Sequence, residues 1–148
     1  IAVPAHLKGK ESEYYGDTSG FELSYDANSL LAQADFAFIC SGTATLQAAL
    51  IGTPFVLCYK AKAIDVFLAR LFVRKLKHIG LANIIFDFLG QAALHAELIQ
   101  DEVSAATLLA AYKDCDTSAF ADGCLKLKKY LSHGASANVA KILLEKSH

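Results

Sequence analysis

An α/β fold built on a parallel sheet is predicted by three stretches of the 148-residue chain. Residues 36–40 form a continuous apolar run of the kind a doubly buried strand shows. Residues 43–51 read as a helix, with Thr43 as its cap, Gly52 in the place of a left-handed terminator and Pro54 forbidding continuation. Residues 55–59, FVLCY, are a second strand of the buried type. Strand, helix and strand at this spacing give the right-handed crossover of a parallel sheet.

The remaining elements follow in order. Residues 1–3 read as a short strand, residues 6–20 as a polar loop, and Phe21 and Leu23 as a second short strand. Asp26 caps a helix over 27–33, with Leu30 and Leu31 turned inward. After the second buried strand, residues 61–77 have an inward stripe of Ile64, Phe67, Leu68, Leu71 and Phe72. Lys60, Lys62, Arg70, Arg74, Lys75 and Lys77 are opposed there by Asp65 alone, a solvated basic face with a weak membrane-surface character. Residues 78–90 are apolar but contain Gly80, Asn83 and Gly90, which predicts an ordered loop packed over the sheet. Asn83 must find hydrogen bonds there, most often with backbone. Glu97 and Gln100, in HAELIQ, fall on an expected short surface helix.

From Ser104 the chain is expected to be helical throughout. Ser104 caps residues 105–112, Asp116 or Thr117 opens a helix to about Leu131, and Ser136 opens the last one, bearing Val139, Ile142, Leu143 and Leu144. So much helical surface exceeds what one face of a small sheet needs, so part of it is expected to pack on something outside the chain.

Composition limits the function classes. With 54% hydrophobic and 20% charged residues, the chain has the material for one core in one domain. A net charge of −1 offers nucleic acid no electrostatic footprint. No apolar run reaches the length of a membrane span and no charged-then-apolar leader opens the chain, so a soluble intracellular protein is expected. Cys40, Cys58, Cys115 and Cys124 show no CxxC or Cys/His ligand spacing and read as reduced structural thiols, Cys40 and Cys58 as small hydrophobes at the ends of inner strands. The absence of methionine and a start at Ile1 within an apparent strand predict a piece of a longer protein.

The chemistry is concentrated in the turn at Ser41, Gly42 and Thr43, between the first buried strand and its helix. The first helical N–H groups lack internal partners and sit at the positive end of the helix dipole, so with the two hydroxyls and the Gly42 amide they suit a phosphate. An ordinary strand-to-helix turn with a good cap is the commoner meaning of the pattern alone.

SGTATLQAALIGTPFVLCYK, followed by GLANIIFDF and AELIQ, resembles the C-terminal region of lipid A disaccharide synthase, of the epsilonproteobacterial type, over residues 20–100. The resemblance implies the C-terminal half of a GT-B glycosyltransferase fold: a Rossmann-like UDP-sugar-binding region over 1–103 and a helical tail over 104–148. It implies transfer of the acylated glucosamine of UDP-2,3-diacylglucosamine to lipid X, 2,3-diacylglucosamine 1-phosphate, forming a β-1,6 disaccharide and UDP. Ser41, Gly42 and Thr43 would face the diphosphate, Gln47 the ribose, and Asn83, Glu97 and Gln100 the rest of the sugar nucleotide. The family places Glu where Gln47 stands, and an amide bonds a diol less strongly than a carboxylate.

No residue here matches a catalytic base, which the family places in its N-terminal domain, so this stretch alone is expected to be inactive. No cofactor is implied, and Asp35 is the sole carboxylate near the turn, too few for a Mg²⁺ site. The implied partners are the two lipid substrates, the N-terminal domain, a second subunit exchanging C-terminal segments and the inner face of the bacterial inner membrane. Two other readings share the phosphate turn. One is another GT-B enzyme using UDP-N-acetylglucosamine, of the murein transferase or epimerase type; the other is a non-catalytic nucleotide-binding or oligomerisation module.

Overall fold

The computed structural model describes residues 1–40, 42–60, 77–131 and 135–146. Two short helices, α1 (Glu11–Tyr15) and α2 (Ala27–Gln33), precede the sheet. The Asp26 carboxylate accepts from the Asn28 and Ser29 amides at 3.0 and 3.1 Å, satisfying two donors that a helix start leaves unpaired. The strands expected at residues 1–3 and 21–23 do not form. A single parallel bridge joins Ala2 to Ser24; Val3 is buried but Phe21 is exposed, so the second segment has no apolar face to hold a longer ladder.

Among the described residues three parallel strands make the sheet, in the order β1 (Ala37–Ile39), β2 (Phe55–Tyr59) and β3 (Glu97–Ile99). Ile39 aligns with Leu57, and Leu57 with Glu97. Helix α3 (Gly42–Ile51) makes the crossover between β1 and β2. It ends at Gly52, which adopts φ +104° and donates its N–H to the Ala48 carbonyl at 2.8 Å, a turn that favours glycine. Thr43 is not the cap: the helix already includes Gly42, which puts Thr43 inside the first turn. Phe55 to Cys58 are buried, as expected of an inner strand. Strand β1 lies at the edge of the sheet, and Phe38 is 54% exposed, so its apolar run is not covered on both faces.

Two expectations fail between residues 78 and 100. The expected loop is helix α4 (Leu81–Phe88), with Ala82 and Phe86 buried one turn apart. That period was hidden by Asn83, whose buried hydrogen bonds outweigh its weak helix propensity, while Gly80 stands just outside the helix at its cap. HAELIQ is not a surface helix but supplies β3, where the Leu57 amide donates to Ala96 O at 3.0 Å. Pairing with β2 overrides the helical preference of Ala96, Glu97 and Leu98. The basic helix expected over 61–77 lies outside the described residues except for Lys77, which is exposed.

Helices α5 (Ala105–Lys113), α6 (Thr117–Tyr130) and α7 (Ala135–Lys146) complete the chain. Ser104 Oγ accepts the Thr107 amide at 3.2 Å, and Asp116 accepts from Ser118 and Ala119 at 3.0 and 2.9 Å. Phe120, Cys124 and Leu127 of α6 join Ile39, Ala48, Phe55, Leu57, Ala82 and Phe86 in one core, and Phe120 meets Phe55 edge-on at 5.7 Å. Tyr112 of α5 meets Phe36 edge-on at 5.3 Å. On α7, Val139, Ile142, Leu143 and Leu144 are each more than half exposed. All four cysteines are free, with Cys40 and Cys58 sulfurs 3.7 Å apart. Burial pushes the Cys58 and Cys124 thiols up to about 11, whereas Cys40 is exposed rather than an inward hydrophobe. No helix among the described residues is long and apolar enough to cross a membrane.

Leu127 is fully enclosed while Leu125, two residues away on α6, is 64% exposed. Leu127→Ala should therefore lower unfolding stability by about 2–5 kcal/mol and Leu125→Ala by less than about 0.5 kcal/mol, read from urea denaturation midpoints. Equal effects would mean that α6 does not pack through Leu127.

Candidate functional site

The chain leaves the carboxyl end of β1 and enters α3 directly, the place where open parallel sheets bind ligands. Gly42 is half-buried and Thr43 is exposed; Ser41 lies outside the described residues. A Cβ on Gly42 would sit 2.8 Å from the Ile79 carbonyl oxygen, so glycine is needed for the turn before α4 to approach the first turn of α3. Thr45, fully buried, links the same two places. Its Oγ1 donates to Gly42 O at 2.6 Å and accepts from the Ala82 amide at 3.3 Å.

The amino end of α4 is satisfied from within the protein. Glu97 accepts the Ile79 amide at 2.8 Å through Oε2 and the Gly80 amide at 3.1 Å through Oε1. A carboxylate in this position also complements the positive end of the helix dipole. Asn83 Nδ2 donates to Glu97 Oε1 at 2.8 Å and to His95 O at 3.0 Å, while its Oδ1 accepts from the Leu94 and His95 amides at 2.8 and 3.3 Å. Both donors and both lone pairs of this enclosed amide are thus engaged. Asn83 and Glu97 are joined to Gly42 through Thr45 and the Ile79 turn, and the hydrogen bonds they make here are to groups of the protein itself.

The other expected residues lie to either side. Gln47, one turn further along α3, donates its amide to Asn28 Oδ1 of α2. Gln100 follows β3 at its carboxyl end with φ +57°, an uncommon conformation for a residue with a side chain. Thr45, Gly80 and His95 were not expected at the site from sequence. A Cβ on Gly80 would lie 2.8 Å from His95 Cε1 and 3.0 Å from Glu97 Oε1. His95 is buried against the Phe55 ring, 4.3 Å between centroids, with Nδ1 3.0 Å from Ala96 O and no partner at Nε2. Their signals were indirect: a threonine among the small residues of a helix start, and a glycine that tertiary contacts alone explain.

Among the described residues no group of three His, Cys, Asp or Glu side chains gathers as a metal site. A cavity of about 820 Å³ lies elsewhere, lined by Phe55, Leu98, Ala110, Phe120 and Gly123 among others. Phe55 opens β2, so this cavity is at the amino ends of the strands, and neither Gly42 nor Thr43 reaches it.

A parallel sheet with a crossover helix starting at the carboxyl end of its edge strand defines a Rossmann-like half of the GT-B type, followed by a helical tail. A profile of the lipid-A-disaccharide synthetase family matches residues 4–121. The lipid-A-disaccharide synthase of Campylobacter jejuni is 58% identical over 145 residues, covering 98% of this chain and 39% of that protein. That of Helicobacter acinonychis is 49% identical over 149 residues, covering 95% of this chain and 41% of the relative, and one from Helicobacter pylori is 48% identical with the same coverage. The chain belongs to the lipid-A-disaccharide synthetase family. It spans about two fifths of the length of these relatives, in their C-terminal part. No solved structure is a significant match to it.

Asn83→Ala would strand the Leu94 and His95 amides and the Glu97 carboxylate, and should cost about 2–4 kcal/mol of stability in urea titrations. A loss under about 0.5 kcal/mol would exclude this bonding. Burial holds the His95 imidazole below its ordinary value of 6.5. The folded state therefore resists a proton that the unfolded chain accepts, so the stability His95 contributes is complete above about pH 6.5 and declines as the pH falls below it. Denaturation midpoints at pH 7.5 and 5.5 should show that decline, and His95→Gln should flatten it.

Proposed function

We propose that this chain is the donor-binding half of a glycosyltransferase that joins UDP-2,3-diacylglucosamine to 2,3-diacylglucosamine 1-phosphate, forming a β-1,6-linked disaccharide and releasing UDP. Family membership supports the reaction class. The observation that carries the site is the first turn of α3, with Thr43 exposed at the carboxyl end of β1. In this reading Ser41, Gly42 and Thr43 receive the diphosphate, and the helix start stabilises negative charge as UDP departs. Gln47 lies on the ribose side and Gln100 on the side of β3. Asn83 and Glu97 serve the same nucleotide-sugar site by holding the wall against which the turn rests.

The acceptor hydroxyl attacks the anomeric carbon with inversion, and the base that activates it lies in the remainder of the protein, leaving this stretch inactive alone. The exposed apolar side chains of α7 support a homodimer that exchanges C-terminal segments. The lipid character of both substrates supports a cytoplasmic enzyme working peripherally at the inner membrane.

In the full-length protein Thr43→Val keeps the side-chain shape and removes a hydroxyl hydrogen bond to a charged group. UDP affinity by titration calorimetry should fall about tenfold or more. Unchanged affinity would remove Thr43 from the diphosphate site.

A further inference from the structure

The candidate site contains a buried hydroxyl that the proposed reaction does not itself use. Thr45 is fully buried, yet its hydroxyl is used twice, to Gly42 O in its own helix and from the Ala82 amide of α4. The first bond is a common local one, in which a helical threonine reaches back to a carbonyl three residues earlier. The second is different, because it takes an amide from the opening turn of a neighbouring helix 37 positions away.

We propose that Thr45 is a positioning residue: its hydroxyl fixes the diphosphate-facing turn of α3 against the Glu97-anchored start of α4. The inference rests on the diphosphate reading of residues 41–43. Two connections run between the two turns, and a third set of bonds anchors the α4 side. Gly42 is in close approach to Ile79 O. Thr45 spans Gly42 O and the Ala82 amide. Glu97 holds the Ile79 and Gly80 amides and is itself held by Asn83.

These connections decide what Gly42 and Thr43 can do. A helix start that must meet a diphosphate needs its amides held at fixed positions before the ligand arrives, since ordering them on binding would cost affinity. Thr45 supplies that order through the Gly42 carbonyl. Valine at this position preserves volume but leaves the Gly42 carbonyl and the Ala82 amide without this partner, so the two turns lose their hydrogen-bonded tie.

The test uses the full-length protein with Thr45→Val, Thr45→Ser and wild type, measuring dissociation constants for UDP and for uridine. Thr45→Val should weaken UDP about tenfold and leave uridine within about twofold, because the change acts at the phosphates. Thr45→Ser, which keeps the hydroxyl, should restore UDP binding to within about threefold of wild type. Equal UDP affinity in wild type and Thr45→Val, equal loss for UDP and uridine, or failure of serine to restore binding would each overturn the positioning role. If wild type itself fails to bind UDP, the diphosphate reading falls first and this inference with it. Should Thr45→Val not fold, Glu97→Gln perturbs the other end of the tie and should show the same selective loss of UDP over uridine; an unselective or absent loss there overturns the proposal.

Discussion

A helix start leaves its first amides without partners in the helix itself, and where it packs against a neighbouring helix they are best met by side chains of the protein. For α4 those partners are Glu97, which accepts the Ile79 and Gly80 amides, and Thr45, which accepts that of Ala82. Much of the local architecture follows from this one requirement. Gly80 lacks a side chain because Glu97 and His95 occupy the space a Cβ would take. Asn83 steadies Glu97 and, through the Leu94 and His95 amides, directs the chain into β3. The third strand and the fourth helix are therefore one cooperative unit.

The two helix starts are thereby given different duties. The positive end of α4 is answered by a carboxylate of the protein itself, so it has little left to offer an external anion. The opening turn of α3 reaches solvent at Thr43 and includes a glycine that lets the backbone approach closely. The proposed diphosphate site is accordingly assigned to α3, with α4 packed beside it. Burial of Thr45 between the two ties the position of one to the integrity of the other.

Residues whose signals are local were legible in the chain. Asp26, Ser104 and Asp116 cap helices because a short oxygen-bearing side chain beside a helix start can reach its amides from where it stands. Gly52 closes α3 because φ +104° is open to glycine, whatever surrounds it. Residues 55–59 are apolar on both faces and lie at the centre of the sheet. The turn between β1 and α3 was also visible, since a strand followed at once by a helix puts it at a strand end.

Tertiary structure alone decided the identity of residues 78–100. Glu97 and Leu98 prefer a helix by propensity, but main-chain bonds to β2 are available only once the sheet exists, and they prevail. Asn83 looks like a ligand for something polar, and its four bonds are all to groups 11 to 14 positions away. Short-range pattern thus determined the sheet's first crossover and the capped helix ends. Packing decided the third strand, the fourth helix and the roles of Thr45, Asn83 and Glu97, because each depends on partners that folding alone brings within hydrogen-bonding distance.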